Sequence, residues 1–226
     1  MNLAIIIPAL NEEDCIASTL GRIPQDLARQ IIVVDNGSSD QTAARARRAG
    51  AAVVFEPHRG YGHACLAGLA KLGETIDTVA FLDADGSDDP KTLANMLELI
   101  ESGDAAFILS ARVLGDAKKH LSPPQRFGNW ISCFLIHLIW CHRFVDCGPM
   151  RMIRRDALEQ LQMTDTTWGW NVEMQIKAAR NSLKVIEIPV TYGQRTAGKS
   201  KISGNIIGTV RAGIKILATI IHHALA

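Results

Sequence analysis

Through the first half of the chain, short β-branched runs alternate with polar, glycine-containing turns and Ala/Leu-rich stretches. That alternation predicts strands followed by helices. Strands are expected at Ala4–Pro8, Gln30–Val34, Ala52–Phe55, Thr78–Leu82 and Ala105–Leu109, and helices near Glu12–Arg22, Asp40–Ala49, His63–Gly73 and Pro90–Ser102. The run Ile31-Ile32-Val33-Val34 is apolar on both faces, as a strand buried in a parallel sheet must be. The expected class is therefore α/β, a mostly parallel sheet with helices on both faces. Ser38 and Ser39 are placed to cap the second helix, and Asp89-Pro90 puts a cap and then proline at the start of the fourth.

The character changes after Arg112. Phe127–His142 runs sixteen residues without Asp, Glu, Lys or Arg, carries Trp130, Phe134 and Trp140, and is flanked by Arg126 and Arg143. That is short of the roughly 20 residues a membrane span needs, so a buried or interfacial helix over 127–143 is expected. From Asn205 onward Ile206, Val210, Ile214, Leu217 and Ile221 recur at helical spacing, while Arg211, Lys215 and Thr219 take another face. The chain thus divides into a main domain over 1–200 and a C-terminal amphipathic helix over 201–226.

At 226 residues, 47% of them hydrophobic and 21% charged, the chain can bury a real core. A net charge of +1 argues against nucleic acid as the partner. Five cysteines, Cys15, Cys65, Cys133, Cys141 and Cys147, form no C-x-x-C pair and read as reduced thiols of a cytoplasmic protein. Nothing in the first residues reads as an export signal. The seven histidines show no metal-ligand spacing.

In an open parallel sheet, ligands bind in the crevice at the carboxyl ends of the strands. The residues expected there are Pro8–Glu13, Asp35–Asp40, Glu56–Gly62 and Asp83–Asp88. Asp83-Ala84-Asp85 follows the apolar run Val79–Leu82, and carboxylates two residues apart in extended backbone share a side. Such a pair can hold a divalent cation that bridges to a diphosphate. Capping of the next helix accounts for Asp89 and Asp88 but leaves Asp83 without a reason. Asp35 can accept hydrogen bonds from a base or ribose, and Glu12 stands near the same rim. An acidic cluster of this kind would repel itself without a cation or donor groups.

The runs Ile5-Ile6-Ile7-Pro8-Ala9-Leu10-Asn11-Glu12-Glu13, Val33-Val34-Asp35-Asn36-Gly37-Ser38-Ser39-Asp40 and Asp83-Ala84-Asp85 together resemble glycosyltransferase family 2, with its Rossmann-like GT-A fold. Val145-Asp146-Cys147-Gly148-Pro149-Met150-Arg151 and Arg195-Thr196-Ala197-Gly198-Lys199-Ser200-Lys201 are similar to motifs of the dolichyl- or polyprenyl-phosphate mannosyl- and glucosyltransferases. The resemblance implies a UDP- or GDP-linked sugar donor, a polyprenyl phosphate acceptor and inversion at the sugar. It implies that Pro8, Leu10, Glu12, Val34 and Asp35 line the nucleoside pocket. Asp83, Ala84 and Asp85 would meet the diphosphate and its Mg²⁺ or Mn²⁺, with Asp85 the direct ligand. Arg112, Arg126, Arg195 and Lys201 would face the phosphates of donor and acceptor, Arg195 and Lys201 on the donor side. Ser87 stands as a metal ligand where family members often carry Gln.

The chemistry agrees with these expectations. A leaving nucleoside diphosphate needs its growing charge neutralised, which a metal and positioned Arg or Lys can do. A phosphate monoester acceptor is already anionic and demands no dedicated base; where one is needed, Glu173 is the candidate, against its alternative as a first-turn acid favoured by the helix dipole. The Gln-x-x-Arg-Trp motif of processive polysaccharide synthases is missing, which favours transfer of a single sugar. Gly193-Gln194-Arg195-Thr196-Ala197-Gly198-Lys199-Ser200 matches the P-loop pattern but comes too near the end for a nucleotide domain to be built around it. The apolar segment and the terminal helix suit the surface of a membrane at its inner, cytoplasmic face; packing against the main domain, a homodimer contact or a membrane partner protein is the other use of those faces. The rival functions are transfer to a soluble or protein-bound hydroxyl and a non-catalytic nucleotide-sugar-binding subunit.

Overall fold

The computed structural model describes residues 1–195, 197 and 206–225, the side chains of 115, 116, 206, 207 and 209 excepted. A seven-stranded sheet forms its centre, with strands β1 (Leu3–Ala9), β2 (Gln30–Asp35), β3 (Ala52–Phe55), β4 (Thr78–Phe81), β5 (Phe107–Ala111), β6 (Arg151–Arg154) and β7 (Val185–Pro189). They lie in the order β3-β2-β1-β4-β6-β5-β7. Neighbours pair in parallel except at β6, which runs antiparallel to both β4 and β5. The strand period of two gives both faces an apolar set. Ala4 and Ile6 join one core layer, while Leu3, Ile5 and Ile7 join the other.

Helices α1 (Ile16–Gly21), α2 (Thr42–Arg48) and α4 (Thr92–Glu101) cover the face of Leu3, Ile5 and Ile7. The opposite face carries α3 (Tyr61–Leu69), α5 (Pro123–Trp140), α6 (Arg155–Leu161), α7 (Trp170–Arg180) and α8 (Ile206–Leu225). α3 comes close to the sheet because Gly68 lies over Ile6 and Val34: a Cβ there would stand 2.6 Å from Ile6 Cγ2.

The five expected strands and four expected helices are present, with shifted ends. The caps differ. α2 starts at Thr42 behind Gln41, without a side-chain cap from Ser38 or Ser39. Instead Asp40 Oδ1 accepts from the Thr42 amide at 2.9 Å, and Ser38 donates its amide to Asp35 Oδ1 at 2.9 Å. α4 starts at Thr92, so Pro90 precedes the helix and Asp89 turns its carboxylate to the Lys91 amide at 3.3 Å. These Asp residues close local turns, which compete with helix capping for the same side chains. The cap-then-proline pattern is realised at α5, where Ser122 and Gln125 form a reciprocal capping box ahead of Pro123 and Pro124. β6, α6 and α7 extend the fold beyond the expected elements. β7 ends at Pro189, and beyond it Tyr192 makes an isolated antiparallel bridge to Asp88.

Candidate active site

β1, β2 and β4 are adjacent and parallel, so Pro8–Glu13, Asp35–Asp40 and Asp83–Asp88 emerge on one rim. β4 ends at Phe81, and Asp83 and Asp85 lie in the turn beyond it. Gly86 takes φ 75°, a left-handed conformation that glycine adopts at little cost. Asp85 Oδ1 accepts from the Ser87 amide at 2.9 Å and from its hydroxyl at 2.5 Å. Ser87 thus spends its hydroxyl hydrogen on Asp85, and its oxygen lone pairs remain for another partner. Asp83 accepts from the Tyr61 hydroxyl at 3.3 Å. Burial, then the charge of Asp85, pushes the Asp83 carboxyl up to about 7 against the pull of Arg112, Tyr61 and Arg151.

Asp88 completes the acidic turn. It is 1% exposed, and among the described residues neither of its carboxylate oxygens has a hydrogen-bond partner. Burial, then the charge of Asp83, drives its carboxyl well above the usual range. Among the described residues, no three His, Cys, Asp or Glu side chains form a complete metal cage.

Arg112 stands beside this turn. Its guanidinium grips the buried Asp146 in a two-pronged pair, Nε to Oδ2 at 3.0 Å and Nη2 to Oδ1 at 2.9 Å. Its face lies 5.3 Å from the Tyr192 ring centre. Burial opposes its charge, but Asp146 more than compensates and raises its pKa further. Arg151, wholly buried, donates to the carbonyls of Gly148, Pro149 and Asn171, and burial lowers its pKa.

Across the crevice, Arg195 donates to both carboxylate oxygens of Glu12 at 2.6 Å, and its Nε lies 3.6 Å from Asp85 Oδ2. Cys15 Sγ donates to the Ala197 carbonyl at 3.5 Å. The Asn11 amide and carboxamide bind Ser38 and the Ser39 amide, tying the β1 and β2 ends together. Pro8 and Leu10 are half-buried at this rim.

Several expected positions lie elsewhere. Val34 and Ala84 point into the core and have no side-chain surface for a donor; the alternation of β2 and the turn after β4 sets their direction. Glu173 is fully buried, accepting from the Thr164 amide and hydroxyl and the Asp165 amide, and pairing with Lys177 at 2.8 Å. Burial opposes its charge, yet these donors hold its pKa below the usual value. That is the first-turn structural acid, not a base open to a substrate. Arg126 lies exposed in the first turn of α5. Lys201 lies outside the described residues, as do Gly198, Lys199 and Ser200 of the P-loop-like stretch. Tyr61, Asp146, Arg151 and Tyr192 are the site residues to which the sequence assigned no role. Asp146 and Arg151 stood inside a quoted motif, but which group each would meet depends on the chain folding back between β5 and β6.

α5 and α8 pack side by side. α5 exposes Phe127, Trp130, Phe134 and Leu138, with Trp130 stacked on Phe134; α8 exposes Val210, Ile214, Leu217 and Ile221. Phe127 is 65% exposed and Ile214 62%. Among the described residues no helix is long and apolar enough to cross a membrane.

A mostly parallel α/β sheet with an acidic turn at its carboxyl rim is the architecture of the GT-A glycosyltransferases. Residues 4–162 match the model of glycosyl transferase family 2. The chain belongs to that family and is a glycosyltransferase. It is 37% identical over 213 residues to an uncharacterized glycosyltransferase of Mycobacterium tuberculosis, covering 93% of this chain and 94% of the relative. It is 30% identical over 220 residues to the undecaprenyl-phosphate mannosyltransferase of Micrococcus luteus (92% and 90% covered). To the polyprenol monophosphomannose synthase of Mycolicibacterium smegmatis it is 30% identical over 220 residues (90% and 82% covered). In fold it is similar to glucosyl-3-phosphoglycerate synthase from Mycobacterium tuberculosis, solved with Mn²⁺, UDP and glucosyl-3-phosphoglycerate, with a TM-score of 0.79 at 20% identity, covering 99% of this chain and 80% of that one.

Proposed function

We propose that this glycosyltransferase moves one sugar from a UDP- or GDP-linked donor to a polyprenyl phosphate, with inversion, at the cytoplasmic face of a membrane. The observation that carries the donor half is the crowding of Asp83, Asp85 and Asp88 on one turn, with the Asp88 carboxylate oxygens unbonded among the described residues and Asp83 pushed up to about 7. Those are the strains a Mg²⁺ or Mn²⁺ ion would relieve, and carboxylate oxygens suit a hard cation whose other ligands are water and phosphate. Asp83 and Asp85 would hold it, with Ser87 orienting Asp85. When bound, such an ion neutralises charge on the departing diphosphate.

Glu12, Asp35, Pro8 and Leu10 form the rim left for the nucleoside. Arg195 faces the donor phosphates once its guanidinium leaves Glu12, and the family resemblance assigns Lys201, outside the described residues, to the same phosphates. Arg112, fixed by Asp146 and Tyr192, keeps a permanent positive charge beside the acidic turn, and Arg126 adds a second for the acceptor phosphate. An anionic acceptor displaces the diphosphate directly, which inverts the sugar and needs no base. Glu173 is therefore not required.

The acceptor reading is supported by the names of the Micrococcus luteus and Mycolicibacterium smegmatis relatives. It is also supported by the paired apolar stripes of α5 and α8. With Lys118, Lys119, Arg126, Arg143 and Arg211 exposed around them, these stripes have the make-up of an interfacial surface. In this reading residues 1–200 are the catalytic domain and 201–226 the membrane-facing helix. The test is incubation of the purified protein with radiolabelled UDP- and GDP-sugars, Mn²⁺ and detergent-dispersed polyprenyl phosphate. Label in the organic-phase lipid extract is the expected result. Label confined to an aqueous hydroxyl product overturns the acceptor assignment.

A further inference from the structure

We infer that Thr19 and Arg22 are positioning residues that hold the cation-binding turn from behind, an inference that rests on reading Asp83 and Asp85 as the ligands. Thr19 is buried in α1, and its hydroxyl donates to the Ala84 carbonyl at 3.0 Å. One turn later, at the C-terminal cap of α1, Arg22 donates from Nη1 to the Gly86 carbonyl and from Nη2 to the Asp88 carbonyl, each at 3.0 Å. Nη2 also lies 3.4 Å from Asp89 Oδ1. Three alternate carbonyls, of residues 84, 86 and 88, are thus tied to one side of one helix.

The turn needs this support for two reasons. Asp83, Asp85 and Asp88 repel one another, and Arg22, paired with Asp89, places a positive charge behind them. Gly86, at φ 75°, sits where the backbone is freest to move, so outside bonds must fix its path. The planar fork of Arg22 spans two carbonyls at once, which a lysine cannot do. Residues 19 and 22 lie three apart on a helix and share a face. The clamp therefore sets the direction in which Asp85 and Asp83 leave the backbone without touching any ligand itself.

The experiment is a Mn²⁺ titration of the full-length protein with UDP or GDP present, following the paramagnetic resonance of free and bound ion, with a melting curve for each variant. Arg22→Gln and Arg22→Lys are each expected to weaken Mn²⁺ retention about tenfold, as loss of groups that orient metal ligands does. The bound-ion spectrum should change as well, and lysine should fail to rescue. Thr19→Val is expected to act in the same direction, and it carries the test should Arg22→Gln fail to fold. Unchanged Mn²⁺ affinity in Arg22→Gln or Arg22→Lys, or a lowered melting temperature with the bound-ion spectrum intact, overturns the clamp alone. Absence of Mn²⁺ retention by the wild type with either nucleotide overturns the reading of Asp83 and Asp85, and the clamp with it.

Discussion

Arg195 grips Glu12 with two hydrogen bonds of 2.6 Å across 183 residues of sequence, and the same guanidinium stands 3.6 Å from Asp85. The end of β1 and the acidic turn after β4 are thereby bridged by one side chain. A guanidinium on two carboxylates is also what an arriving diphosphate must draw away. Arg195→Gln is expected to raise the KM for donor about tenfold or more. A double-mutant cycle of Glu12→Gln and Arg195→Gln, read by thermal unfolding without donor, should give a coupling of about 0.5–3 kcal/mol. Additive effects would show the pair to be idle.

Asp83 gives the site a pH dependence with a definite sign. Its carboxyl sits at about 7 in the fold against an ordinary 3.8, so between those values the native state binds the extra proton. Stability therefore falls as pH rises from about 4 through 7, and the deficit is complete above that. Cation binding must expel the proton, so apparent Mn²⁺ affinity should rise about tenfold per pH unit up to neutrality and then level off. Asp83→Asn should melt higher than wild type at pH 8 without metal, melt alike at pH 4, and lose Mn²⁺ retention. Calorimetry at the two pH values, with and without Mn²⁺, checks all three.

Glu173 is expected to matter for folding and not for chemistry. Its carboxylate holds Thr164, Asp165 and Lys177, and Lys215 pairs with Asp165 at 2.8 Å, so α7 and α8 share one polar seam, buried at Glu173 and open to solvent at Lys215. Glu173→Ala leaves buried donors unpaired and should cost about 3–5 kcal/mol. Because its pKa is depressed, that stabilisation is present above the unfolded value of 4.5 and fades as pH falls through the lower folded value. Turnover measured well below the melting temperature should drop less than tenfold. A thousandfold loss with an unchanged melting curve would reinstate Glu173 as a base.

The paired stripes of α5 and α8 predict binding to anionic vesicles. Trp130→Ser with Phe134→Ser should reduce co-sedimentation about tenfold or more and leave donor binding intact. Should the wild type instead run as a dimer that the double variant dissolves, with vesicle binding unaffected, the stripes belong to a protein contact.

The sheet and the gathering of acidic strand ends on one rim were legible because both are local. Ile31–Val34 announces a parallel strand within four residues, and Asp83 and Asp85 follow their strand directly. β6 was not legible: Arg151-Met152-Ile153-Arg154 is short and carries charge at both ends, and the full burial of Arg151 depends on carbonyls of Gly148, Pro149 and Asn171. The partners of Arg112, Arg195 and Glu173 escaped for a related reason. Each long side chain had a ligand-facing and a structural use, and only the fold supplies the acid or amide that decides between them. Val34 and Ala84 carry their place in the motif with buried side chains, a burial that the alternation of β2 and the path of the turn decide.

The reversal of β6 has a consequence for how this scaffold tolerates change. Because β6 runs against β4 and β5, it begins at the rim where they finish, so the excursion from Ala111 to Arg151 leaves and re-enters the sheet at the same edge of the molecule. Its two footings are anchored to each other by Arg112 and Asp146. A replacement excursion must keep the packing of Cys133 and Ile136, which share one core layer with Ala4 and Ile6 of β1, Val34 of β2 and Phe81 of β4. One inverted strand thus brings both ends of the excursion to the rim that carries the acidic turn.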